Sequence, residues 1–133
     1  MRPAALRRLP PVRALVTGAA GFVGRHLVAG LRAAGDEVHE TDRHLRLDIL
    51  APAGLDALFA ATRPEVVYHL AGQADVGGSW TSPVETFRIN AEGTMNVLLA
   101  AVGAEVHRVI AVASADVYGQ VPEAELPIGE DRP

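Results

Sequence analysis

Arg13-Ala14-Leu15-Val16-Thr17-Gly18-Ala19-Ala20-Gly21-Phe22-Val23-Gly24 is the stretch that decides the fold of this chain. Arg13 to Thr17 is an apolar run of strand length. Phe22, Val23, Leu27, Val28 and Leu31 then recur at the spacing of one helical face, which predicts a helix over Gly21 to Leu31. Between strand and helix lie three glycines, Gly18, Gly21 and Gly24, in a Gly-x-x-Gly-x-x-Gly spacing. A turn without side chains at Gly18 and Gly21 lets the backbone approach a pyrophosphate closely, and Gly24 lets the helix pack tightly on the strand. The helix N-terminus, with Phe22 and Val23 in its first turn, offers free N–H groups to phosphate oxygens. A strand before the turn and a helix after it supply the context that a bare glycine pattern lacks.

Outward from this unit, short apolar runs alternate with longer helical patterns. Gly35 ends the first helix, and Glu37 to Thr41 reads as a second strand, followed by Asp42 and a polar bend through Arg43 and His44. Leu55 to Ala61 reads as a helix stopped before Pro64, and Val66 to Leu70 as a third strand running into Ala71-Gly72. Gln73 to Ser82, rich in Gly, Ser and Thr, reads as a loop. Ser82-Pro83 looks like an N-cap with proline at the first helical position, opening a helix to about Val102 that Gly103 closes. Arg108 to Ala113 is the fourth strand, and the segment after Tyr118 is proline- and acid-rich without a period. This rhythm predicts an α/β chain: a Rossmann-type parallel sheet with helices on both faces, ending after about four strands in the order 3-2-1-4. Residues 1–12 read as a flexible tail, with Arg2, Arg7 and Arg8 running into Pro10-Pro11 and no apolar region behind them. Residues 13–133 read as one NAD(P)-binding domain.

Composition narrows the function classes. With 133 residues, 49% of them hydrophobic, the chain suffices for one core. A net charge of −4 and the absence of a basic run give no electrostatic reason to expect nucleic acid as partner. No apolar run approaches the roughly 20 residues of a membrane span, so no membrane partner is expected; with no cysteine to indicate a redox compartment, a cytoplasmic location is the default. Without cysteine there is no disulfide, thiolate metal site or thiol nucleophile. His26, His39, His44, His69 and His107 lack a metal-ligand spacing and read as core or strand-end histidines, so no metal is expected.

Asp42 lies 18 residues beyond Gly24, close to the separation at which an acidic group accepts hydrogen bonds from an adenosine ribose. This favours NAD over NADP, while Arg43 beside it could pair with a 2′-phosphate, and a solvated turn residue is the plainer account of Asp42. Trp80 either stacks on a substrate base or anchors its loop by packing. Ser114, at the end of the fourth strand, is expected beside the first strand where the strand order reverses. It could hydrogen-bond a substrate oxygen there, or simply cap the strand end.

These motifs together resemble the NAD-dependent epimerase/dehydratase family, the extended short-chain dehydrogenase/reductases, over roughly Arg13 to Pro133. The matching pieces are TGAAGFVG at Thr17 to Gly24, Asp48-Ile49, YHLAGQ at Tyr68 to Gln73, NAEGTMNVLLA at Asn90 to Ala100, and SADVYG at Ser114 to Gly119. Within the family, GQADVGGSW, SPVETFRINAEGT and QVPEAELPIGEDRP look most like the GDP-mannose 4,6-dehydratase and GDP-6-deoxy-mannose reductase branch. The resemblance implies that Asp48 and Ile49 lie at the adenine, that Leu70, Ala71 and Gly72 line the cofactor groove, and that Asn90 supports the site near the nicotinamide. It also implies that Ser114 is the hydroxyl of a Ser/Tyr/Lys catalytic set, in an enzyme acting on a nucleotide sugar and commonly dimeric. Dehydratases of this kind carry Glu two residues beyond the catalytic hydroxyl. Asp116 stands there, after Ala115, as a second catalytic candidate, which favours reduction or epimerisation over water elimination.

One departure is large. All 12 basic residues are arginine, so the Tyr-x-x-x-Lys pair of the family is absent from these residues. The expectation is therefore a cofactor-binding front half, with the substrate lobe elsewhere, its apolar fourth strand exposed as a sheet edge. The alternatives are a non-catalytic dinucleotide-binding module and an inactive fragment.

Overall fold

The glycine turn separates a strand, β1 (Arg13–Thr17), from a helix, α1 (Phe22–Ala34), as its spacing predicts. The computed structural model describes residues 10–43 and 47–131; residues 1–9 of the expected tail, and His44, lie outside them. Val12, at the end of that expected tail, donates its N–H to Asp36 Oδ1 at 3.1 Å. The chain continues through β2 (Glu37–Thr41), α2 (Pro52–Thr62) and β3 (Val66–His69). Next come α3 (Val76–Thr81), α4 (Pro83–Phe87), a π-helical turn (Arg88–Glu92), α5 (Gly93–Gly103) and β4 (Arg108–Ala111). Two 3₁₀ turns follow, Ala115–Tyr118 and Glu123–Glu125.

All strand pairs are parallel, and helices cover both faces of the sheet. Along β1 the side chains alternate between two cores. Leu15 packs with Leu55 and Phe59 of α2, Val67 of β3, and Val97, Ala100 and Ala101 of α5. Val16 and Ala19 pack with Val28 of α1 on the other face.

Among the described residues the strand order is β2-β1-β3-β4, which corrects the expected 3-2-1-4. The reason lies in the faces. Parallel crossovers share one hand, so helices on opposite faces carry the chain across the sheet in opposite directions. With α1 on one face and α2 and α5 on the other, β2 falls on one side of β1, and β3 and β4 on the opposite side. The polar β2, with Glu37, His39 and Glu40, accordingly occupies an edge of the described sheet. The reversal point lies between β1 and β3, at Thr17-Gly18 and His69-Leu70. Ser114 follows β4, which pairs with β3, so it is not beside the first strand.

Two further expectations change. Gln73 to Ser82 is not all loop, because the Asp75 carboxylate accepts bonds from Gly77 N and Gly78 N at 3.1 Å each and caps the short α3. The long helix does open on Pro83, but the Ser82 side chain makes no capping bond, and the helix is interrupted by the π-turn. At the other edge β4 is largely exposed, with Ile110 40% and Val112, just beyond it, 63% accessible.

Phe59 is the largest fully buried side chain. Phe59→Ala should destabilise the fold by about 3–5 kcal/mol, through lost burial and the cavity left behind. Leu99, 61% accessible on α5, tolerates Ala within about 0.5 kcal/mol. Urea unfolding of both variants checks the contrast.

Candidate functional site

The C-terminal ends of β1, β2 and β3 open into a groove of about 780 Å³, a size typical of small-ligand sites. Gly18, Gly21, Asp42, Asp48, Ile49, Leu70, Ala71 and Gly72 all line it. So do Thr17, Thr41, Arg43, Leu47, Leu50, Gln73, Glu85 and Ile89. Glu85 and Ile89 are four apart on the chain, so α4 and the π-turn turn one face to the groove. That spacing was available in the sequence.

One wall is the glycine turn. Gly18 has φ of 69°, and a Cβ there would lie 2.8 Å from Ala71 N, so a side chain is barred by conformation and by space. Gly24 is buried in α1, and a Cβ would meet Gly18 O at 2.3 Å. Its part is therefore packing under the turn, not lining the groove. No side chain caps α1 at Gly21 and no acidic residue occupies its first turn, so the partial positive charge of the helix end is not neutralised from within. Phe22 and Val23 point their side chains outward, 77% and 56% accessible, and bring only their backbone to this end.

The adjoining wall, Leu70 to Gln73, is held from two sides. Thr17 Oγ1 accepts from Leu70 N and Ala71 N, each at 3.2 Å. Asn90, in the π-turn, accepts from Gln73 N at 2.7 Å and donates to Gln73 O at 3.0 Å. Asn90 thus supports the wall rather than lining it. The floor is Ile49, buried in the core, with its carbonyl accepting from Asn96 Nδ2 at 3.0 Å. Asp42 follows β2 directly, and Arg43 is the one basic residue lining the groove among the described residues.

The remaining candidates lie apart. Ser114 Oγ donates to Asp116 Oδ2 at 3.0 Å and accepts from Asp116 N at 3.1 Å, closing a 3₁₀ turn beyond β4 outside the groove lining. Trp80 is 83% accessible on α3 and does not anchor its loop. His69 is a satisfied core histidine: its ring nitrogens lie 2.7 Å from Thr17 Oγ1 and 2.9 Å from Thr94 Oγ1.

The sequence and fold recur in known proteins. The family model for the NAD dependent epimerase/dehydratase family matches residues 14–133. This chain belongs to that family. Among relatives of the epimerase/dehydratase chain, GDP-6-deoxy-D-mannose reductase of Pseudomonas aeruginosa is 42% identical over 120 residues, 90% of this chain and 39% of that protein. UDP-glucose 4-epimerase of Mycolicibacterium smegmatis is 33% identical over 141 residues, 92% of this chain and 44% of that protein. Among solved structures, RMD from Pseudomonas aeruginosa complexed with NADPH superposes with a TM-score of 0.76 at 41% identity, covering 92% of this chain and 41% of that one. The Thermus thermophilus UDP-glucose 4-epimerase complex with NAD gives 0.77 at 37% identity, covering 85% and 41%. The chain spans less than half the length of the curated relatives it matches. No described helix is long and apolar enough to cross a membrane.

Burial holds the His69 imidazole below its ordinary value of 6.5. The unfolded chain then binds the proton more readily than the folded one. His69 therefore contributes stability that is full above the ordinary value and is lost as pH falls below it, through the folded value. Melting temperatures of wild type and His69→Asn, taken from about pH 8 to about pH 5, should differ most at the alkaline end and converge toward the acid end. A constant gap would contradict this.

Proposed function

We propose that this chain is the dinucleotide-binding half of an NAD(P)-dependent enzyme acting on a nucleotide sugar, with reduction of a GDP-linked deoxyhexose as the nearest model. The observation that carries the reading is the Gly18 cradle. It is a turn packed too closely against Leu70 and Ala71 to admit a Cβ, lying at the uncapped N-terminus of α1 and lining the groove together with Leu70 to Gln73. The chemistry such a cofactor supplies is hydride transfer.

In this reading, Gly18, Gly21 and the first-turn amides of Phe22 and Val23 take the pyrophosphate, and Gly24 keeps the turn on its strand. Phosphate oxygens are repelled by carboxylates. The acidic lining therefore belongs to the adenosine end, with Asp42 accepting from the ribose and Asp48 and Ile49 beside the adenine. Arg43 leaves a 2′-phosphate acceptable, so both cofactors fit, with NAD favoured by Asp42. Leu70, Ala71 and Gly72 form the apolar wall, and Asn90 fixes it through Gln73.

Ser114 is the proposed hydroxyl at the substrate oxygen. Asp116, which already accepts its proton, sets the orientation of that hydroxyl. Alanine at position 115 and an Asp–Ser bond in place of a free acid favour reduction or epimerisation over elimination. Because the 133 residues include no lysine, the proposal for them alone is binding without turnover. The matches to the reductase and to UDP-glucose 4-epimerases support the substrate class. The cytoplasm is the proposed compartment, and a second copy of the whole enzyme the proposed partner.

Calorimetry of the chain with NAD(H) and NADP(H) tests the reading. Binding of at least one is expected. Gly21→Asp, which sets a carboxylate at the helix end meant for phosphate, should weaken it at least about 30-fold, equivalent to about 2 kcal/mol. A cooperatively folded chain that binds neither contradicts the proposal.

A further inference from the structure

His69 is a buried titratable side chain that the proposed chemistry does not use, and its hydrogen bonds have a determinable sense. Thr17 ends β1 and His69 ends β3, and the two are register partners. Both side chains are buried, 0% and 3% accessible. A hydroxyl has one proton to give and two lone pairs to receive. The lone pairs of Thr17 Oγ1 face Leu70 N and Ala71 N, Leu70 N also reaching Thr17 O at 3.2 Å. The hydroxyl proton is left for His69 Nδ1 at 2.7 Å. Nδ1 then carries the lone pair and Nε2 the hydrogen, which is donated to Thr94 Oγ1 at 2.9 Å on the first turn of α5. This bond pattern requires a neutral ring, and burial acts in the same direction, holding the imidazole below its ordinary value.

We infer that His69, as the Nε2–H tautomer, is a positioning residue for the dinucleotide groove, joining Thr17, which holds the Leu70 and Ala71 amides, to Thr94 on α5. The inference rests on the dinucleotide reading and adds a requirement to it. The seating of the Leu70–Gln73 wall against the glycine turn is set by an ordered chain of donors running from Thr17 through His69 to α5. The π-turn leading into the same helix carries Asn90, which grips the far end of that wall at Gln73. Reversing or breaking the chain leaves a buried donor or acceptor unmatched next to the groove, so the wall shifts while the core below it stays packed.

Thr94 does not line the groove, which makes it the informative position to change. In the full chain, Thr94→Val removes the final acceptor and keeps the shape. It should weaken NAD(H) or NADP(H) binding about tenfold with a cooperative melt retained, whereas Thr94→Ser should stay within about twofold of wild type. Nitrogen-15 spectra of the His69 ring in the wild type should show the Nε2–H tautomer, and a mixture of tautomers in Thr94→Val. A wild-type Nδ1–H tautomer, or a protonated ring at neutral pH, overturns the inference whatever binds. Equal binding by wild type and Thr94→Val overturns it while leaving the dinucleotide reading intact. A folded wild type that binds neither cofactor overturns that reading and the positioning role with it.

Discussion

The close approach of Gly18 to Ala71 is the constraint on which the rest of this structure depends. A Cβ at Gly18 would sit 2.8 Å from a backbone nitrogen, and the turn's φ of 69° is one that few side chains accept. Because nothing projects there, the end of β1 can lie against the end of β3, and Thr17 can reach two amides beyond the strand. Gly24 repeats the logic one helical turn later, letting α1 settle on the turn's own carbonyl. Together these contacts place a bare helix end and a backbone wall side by side on one open groove, at the point where the chain's crossovers diverge. A binding site at that position follows from the topology as much as from any side chain.

Charge then orders the groove. The one unneutralised positive element at the turn is the end of α1, and the carboxylates lining the groove come from the segments after β2 and at the start of α4. In the proposed reading an anionic ligand group is drawn to the former and a hydroxyl- or amine-bearing group to the latter, which would give an extended dinucleotide a direction. Support from behind is local. Asp75 caps α3, Asn90 fixes Gln73, and Asn96 fixes the Ile49 carbonyl, so these three stretches of irregular backbone each have a side-chain partner.

The fold class was legible because the decisive signals are local. Strand, turn and helix between Arg13 and Ala34 announce themselves through periodicity and glycine spacing, and β2 matches its expected residues, Glu37 to Thr41. Strand order was not legible by the same means, since it depends on which face each helix takes, a non-local matter. The polar pattern of β2 was nonetheless a usable clue to its edge position. Gly18, Gly21 and Asp42 followed from spacing along the chain, and Asp48, Ile49 and Leu70 to Gly72 from the family resemblance, whereas Glu85 and Ile89 required knowing that α4 returns over the groove. The α3 helix was hidden by a Gly-Gly-Ser composition, and its formation depends on one capping carboxylate at Asp75. Ser114 was legible as a strand-end hydroxyl but not its pairing with Asp116, because a two-residue turn leaves no periodic trace.

The most direct test of the central claim is an amide NMR titration of the isotope-labelled chain with NADH. The account predicts saturable shifts concentrated at Gly18 to Gly24, at Asp42, Asp48 and Ile49, and at Leu70 to Gln73. Saturable shifts confined to other surfaces, such as the shallow second groove between Thr81 and Arg88, would contradict it.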